Sequence, residues 1–158
     1  MSPSLVLLLA LLIGVIAGLR SLTGPAVVAC AALLGRLNLH DSPLSFMAEK
    51  YAAVIFILLA LAEIVNDKLP KTANRTSLPG LIPRILFGGL AGACIAVAGS
   101  QSMGMGAVLG AAGGIAGAFA GFLARRRLVQ ALKVPDLVIA LVEDAVAIAG
   151  GILIVMRF

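Results

Sequence analysis

The sequence predicts an all-α integral membrane protein with about five to six transmembrane or half-spanning helices. Three observations carry this. Of 158 residues, 61% are hydrophobic and the mean hydropathy is +1.14. Only 12% are charged, where a soluble domain carries about 25%. The apolar residues also come in blocks, each close to the roughly 20 residues that a helix needs to cross about 30 Å of hydrocarbon.

Five blocks are visible, at 4–34, 46–65, 82–98, 103–123 and 137–156. The first is too long for one comfortable span, and Arg20, Thr23, Gly24 and Pro25 interrupt it. Proline is tolerated in the first turn of a helix but not in its interior. Thr23 is therefore read as an N-cap with Pro25 just inside a new helix. This splits the block into helices over 4–19 and 23–35, both short for a full crossing. Irregular backbone at membrane depth requires burial in protein or a cavity to line. The alternative is one tilted helix over 4–34 and five spans. Residues 1–18 lack the basic start of a signal peptide and the apolar pattern runs on past them, so they read as a retained first segment.

Basic residues set the expected orientation. With six segments, one side receives Arg20, Lys68, Lys71, Arg75, Arg84, Arg125, Arg126, Arg127 and Lys133, nine of the twelve Lys and Arg residues. The positive-inside rule then places the linkers 66–84 and 125–135 in the cytoplasm, with both termini outside. The five-span alternative keeps both linkers inside and moves the N-terminus to the cytoplasm. The chain reads as a single membrane domain, 1–158.

A weak internal symmetry suggests two inverted three-helix repeats, 1–79 and 80–158. A shift of 81 residues lays RSLTGPAVV over QSMGMGAVL, with Ser21 on Ser102. A shift of 80 lays ALAEIVND over ALVEDAVA, with Glu63 on Glu143. Glu63 lies near the end of its segment and Glu143 nearer the middle, which weakens the mirror relation.

Charges inside membrane segments cost about 2.5–3.5 kcal/mol each at the bilayer centre and mark functional positions by default. Arg20, Glu63, Glu143 and Asp144 are the candidates. Glu143 and Asp144 lie about 10 Å into their helix from Asp136, at about 1.5 Å per residue. They read either as a proton or cation relay or as structural partners of Arg20, Arg84 or a backbone donor. Glu63 and Asp67 share a helix face at i, i+4. Glu63 is expected either to pair with Arg20 or to sit wet at a helix end. Gly106, Gly110 and Gly114, with Gly113, Gly117 and Gly121, form small-residue stripes on two faces of one helix, the pattern of a helix packed closely on both sides.

Several classes are excluded or unsupported. The net charge of +5 reads as topology and affinity for anionic headgroups. Nucleic-acid binding would need interleaved aromatics, and these are 4% with no Trp. Cys30 and Cys94 sit in apolar runs and read as small hydrophobes, so no disulfide, metal or cofactor is expected. His40 reads as a solvated loop residue. The sequon at Asn74 falls on the cytoplasmic side and is discounted. No hydrolase, P-loop or metalloprotease motif is present, so no enzyme and no catalytic residue are expected.

The stretches GLRSLTGPAVVA and AEIVNDKLPKTANRT resemble a bacterial membrane family, the domain of unknown function 4126. The likeness rests on an early Gly-x-Arg motif, here Gly18 and Arg20, and a later Glu-x-x-x-Asp-Lys-x-Pro motif, here Glu63, Asp67, Lys68 and Pro70. It covers most of the chain and implies a multi-pass protein of the bacterial inner membrane. The family has no assigned activity, so no substrate is implied.

Two functional readings stay open. The first is a small transporter or channel for a small ion or anionic solute, proton-linked and dimeric. Its path would use Arg20, Ser21, Thr23, Glu63, Asp67, Ser102, Glu143 and Asp144, with an anion at the N-terminus of the second helix. The second is a non-catalytic scaffold or assembly protein of the bilayer whose buried charges only hold helices together. A lipid-modifying enzyme is the least supported reading.

Overall fold

A computed structural model describes residues 1–67 and 76–158. The described residues form six α-helices and one 3-10 turn, with no strand. The helices are α1 (Pro3–Leu19), α2 (Thr23–Leu33), α3 (Lys50–Asn66), α4 (Leu78–Ala98), α5 (Met103–Leu132) and α6 (Asp136–Val155); the turn is Ser45–Ala48. The protein is an all-α membrane protein. Helices α4, α5 and α6 are long and apolar enough to cross a bilayer, while α1 and α2 are shorter apolar helices. Lys68 and Pro70 of the second motif and Asn74 of the sequon lie outside the described residues.

The first apolar block does break where the length count and Pro25 demand it, so the single helix over 4–34 does not form. Helix α1 starts on a Ser2 cap, whose Oγ accepts from the Leu5 N–H at 3.4 Å, with Pro3 in the first turn. It ends at Arg20, which is extended (φ −139°, ψ 109°). Helix α2 restarts within three residues. Thr23 is its first residue rather than its cap: Leu22 holds the cap position and no local side chain bonds there. Pro25 sits in the first turn, where a missing N–H leaves nothing unpaired. The helix ends before the expected Gly35. Gly35 takes φ +73°, and the Gly35 and Arg36 N–H groups donate to Ala32 and Ala31 carbonyls, a glycine-terminated Schellman end.

Helix α5 runs nine residues past its predicted end at 123, because Arg, Leu, Val, Gln and Ala are good or neutral helix formers. At 30 residues it is about 45 Å long, longer than the hydrocarbon. Its first 21 residues fill about 31 Å, so the Arg125–Arg127 turn lies at the membrane boundary.

The centre of the fold is α1, α4 and α5, built on small residues. Gly106, Gly110 and Gly114 face the α4 backbone at Gly92, Gly88 and Arg84. Gly113 and Gly117 face the α1 backbone at Leu11 and Val15. Gly121 is buried farther along, against a small cavity between α5 and α6. With no Cβ between them, backbones meet directly, and dispersion contacts replace the hydrophobic drive that lipid cannot supply. The larger side chains Ile13, Val28, Ile95 and Met47 fill the core around this seam.

Pairings fix the helix directions. Gly14 lies against Gly110 and Gly18 against Gly117, so α1 and α5 are parallel. Val6 lies against Gly99 and the Gly18 carbonyl binds Arg84, so α1 and α4 are antiparallel. Ile16 lies against Gly150 and Arg20 against Asp144, so α6 is antiparallel to α1. One end of the bundle therefore gathers the C-termini of α1, α3 and α5 and the N-termini of α2, α4 and α6. Helix α3 is peripheral. Only Ala53 and Ala60 on it are buried.

Candidate functional site

The costly residues collect at that one end, around the Arg20–Leu22 break. Arg20 is 1% exposed, although it is the last residue before a turn. Its Nη1 donates to Asp67 Oδ2 at 2.6 Å. Its Nη2 lies 2.6 Å from Asp144 Oδ1, an ion pair off the hydrogen-bonding direction. Its Nε has no hydrogen-bond partner among the described residues. Asp67 comes from the C-terminal cap of α3 and Asp144 from the third turn of α6, so one guanidinium ties three helices.

Glu63 does not pair with Arg20. It sits one turn before Asp67 on the same face of α3 and grips backbone instead. Its Oε1 accepts from the Ser21 N–H at 2.8 Å and the Ser21 hydroxyl at 2.7 Å. Its Oε2 accepts from the Leu22 N–H at 2.9 Å. Donor groups and the helix dipole favour an anion at the start of α2, and the anion found there is the protein's own.

Two further arginines complete the knot. Arg84, 7% exposed in α4, donates to the Gly18 carbonyl at 3.1 Å and the Gly80 carbonyl at 2.5 Å. Arg125 of α5 holds Asp136 in a two-pronged bridge at 2.9 and 2.6 Å. Its Nη1 lies 3.6 Å from both Asp67 and Glu143. Asp67 is thus shared by Arg20 and Arg125. Glu143 and Asp144, adjacent in sequence, turn to different arginines, as the 100° step between neighbouring helix positions dictates.

Six of the eight path residues come together here: Arg20, Ser21, Glu63, Asp67, Glu143 and Asp144. Thr23 is buried one turn on, at the head of an apolar groove. Ser102 is at the opposite end, where its Oγ caps α5 by accepting from the Met105 N–H at 3.4 Å. Sequence reasoning gave Arg125 no site role because it belongs to a triple-arginine run that counts as topology. Its signal was helical: Arg125 is four residues beyond Gly121, on the continuing inner face of α5.

Glu63→Gln tests the backbone grip. A carboxamide offers one acceptor oxygen where the carboxylate offers two, so one of the Ser21 and Leu22 N–H groups loses its partner. The expected loss is about 1–3 kcal/mol, read as a lower thermal midpoint. Faster amide exchange at Ser21 and Leu22 should accompany it; unchanged exchange there refutes the grip.

Among the described residues, this site offers ion pairing and backbone capping. The cavity of about 290 Å³ that Arg125 and Glu143 border is walled by apolar side chains such as Leu19, Ile139, Val142 and Val146.

A bundle of apolar helices seamed by glycine and closed at one end by paired charges defines a polytopic membrane protein. The chain belongs to the family described as Domain of unknown function (DUF4126), whose model matches residues 7–156. No curated protein and no solved structure matches it. Of the two family-like motifs, Gly18 packs against α5, and Arg20, Glu63 and Asp67 lie in the knot.

Proposed function

We propose that the protein is a non-catalytic membrane scaffold or assembly protein whose buried charges are structural. One observation carries this reading: the groups that would receive a solute are held by the chain itself. Glu63 occupies the donors at the start of α2, and Asp67 and Asp144 hold both terminal nitrogens of Arg20. Removing one partner of such a buried pair is costly, which suits a fastener. The best-attested use of buried ionic groups is to specify one arrangement of helices.

A second reading, a small transporter or channel for an ion or anionic solute, is favoured by a different observation. The knot ties α1, α3, α4, α5 and α6 at one end only, where opening it would unseal the bundle. Glu143 and Asp144 would then carry protons. In either reading we place the protein in the bacterial inner membrane, as a homodimer, with the charged end cytoplasmic because the basic residues gather there. Each half runs helix, break, helix, loop, acid-bearing helix, which supports the repeat halves 1–79 and 80–158. The unequal lengths of α2 and α5, 11 and 30 residues, weigh against them.

Proteoliposome flux separates the readings. The scaffold reading expects proton, potassium, chloride and phosphate flux equal to that of empty vesicles, unchanged by Glu143→Gln. Flux that Glu143→Gln abolishes while the protein keeps its thermal midpoint overturns it in favour of transport.

A further inference from the structure

A groove of about 470 Å³ runs along α2, between α3 and α6, at the outer surface of the bundle. Its floor is Val27 and Cys30, and its walls are Ile57 and Leu61 of α3 and Ile148 and Ile152 of α6. Helix α3 packs chiefly on α2 and on the Ser45–Ala48 turn, so nothing of the described chain fills the space between α3 and α6. The groove extends from Thr23 to Leu34, which is about 16 Å of helix, or about half of a 30 Å hydrocarbon core. That is the depth of one leaflet.

The two ends differ. At the inner end the groove stops on buried Thr23. At the outer end it is lined by Arg36, an exposed residue just past the Schellman turn of α2. Arg36 makes no ion pair among the described residues, although Asp41 and Glu49 are exposed on the same connection. A cation at the headgroup level of an apolar slot one leaflet deep complements one molecule in both shape and charge.

We propose that this groove binds an anionic phospholipid of the leaflet at the Arg36 end, with one acyl chain between α3 and α6 and the phosphate on Arg36. A lipid there would complete the packing of α3, which the protein leaves half-made. Lipid in this groove is compatible with a protein that transports and with one that does not.

The test uses the full chain in liposomes carrying phosphatidylglycerol or phosphatidylcholine with a photoactivatable acyl chain. Adducts are mapped by peptide mass spectrometry. Phosphatidylglycerol adducts are expected on residues 26–34, 57–64 and 148–156. Arg36→Gln should lower their yield about fivefold, the factor that one basic residue near an anionic surface contributes. The phosphatidylcholine yield should be lower and unaffected by Arg36→Gln. Cys30→Phe, which fills the floor without touching Arg36, should remove groove adducts of both lipids. Equal yields for the two lipids, insensitive to Arg36→Gln, overturn the anionic assignment. Protein–protein cross-links through Ile57 or Leu61 in place of lipid adducts assign the groove to a second copy and overturn it altogether.

Discussion

Arg20→Ala is expected to lower the stability of the bundle by about 3–5 kcal/mol, the range for removing one partner of a buried ion pair. The guanidinium is 1% exposed and bridges Asp67 and Asp144 at 2.6 Å each. Its loss strips two acids of α3 and α6 of their shared cation, in a setting where water cannot readily replace it. Arg20→Lys should recover little. A single ammonium cannot present two donor edges to carboxylates that arrive from different helices. Arg20→Met combined with Asp144→Asn should cost less than the two single changes added together, since each removes the charge that the other leaves stranded. Coupling of about 0.5–3 kcal/mol is the expected scale. Thermal unfolding of the four proteins in one detergent measures this. An Arg20→Ala protein within about 0.5 kcal/mol of the parent, the range of ordinary surface changes, would show that the knot is solvated and not structural.

Gly110→Ala is expected to be strongly damaging for a single added methyl group. A Cβ at Gly110 would lie 2.9 Å from Gly92 Cα and 3.0 Å from the Gly88 carbonyl carbon, and closer still to the Gly88 oxygen. These are backbone atoms of α4, so no side chain can swing aside and the helices must separate. Overpacking of this kind costs about 1–3 kcal/mol or more. The gain in helix propensity, about 1 kcal/mol at most, offsets part of it. Gly113→Ala should act alike on the other face, where Val15 N would be 2.9 Å away. Gly104→Ala is the control. Its new methyl meets only Ser102 Oγ at 3.8 Å, an ordinary contact, and its effect should be neutral or slightly stabilising. If Gly110→Ala unfolds at the parent's midpoint, α4 and α5 are not held at backbone contact.

Much of the architecture was legible because it follows from local composition. Block lengths, Pro25 and the run of small residues in 103–123 act over a few turns of helix. The site was legible only as a parts roster. Arg20, Glu63, Asp67, Glu143 and Asp144 stand out because each is expensive in an apolar segment. Who holds whom is a matter of side-chain direction across helices, as between Arg20 and Asp67, 47 residues apart in the chain. Spacing placed Glu63 and Asp67 on one face, but not which of them reaches the guanidinium and which the backbone. Thr23 illustrates the same limit. A Thr-Gly-Pro triplet reads as a self-capped start, yet a carboxylate from α3 supplies the cap to the residues before it.

The sequence by itself determined that this is a helical membrane protein, where its first apolar block would break if it broke, and which charged residues are costly in their segments. Hydrophobicity, proline geometry and the cost of a charge in hydrocarbon are properties of each residue in its own segment. Only the tertiary structure decided that Arg20 joins Asp67 to Asp144, that Glu63 fills the anion site at the start of α2, and that Arg125 is the second hub. It also decided that α3 leaves a groove one leaflet deep. These depend on directions and distances between helices, which arise when glycine seams set how closely the backbones approach.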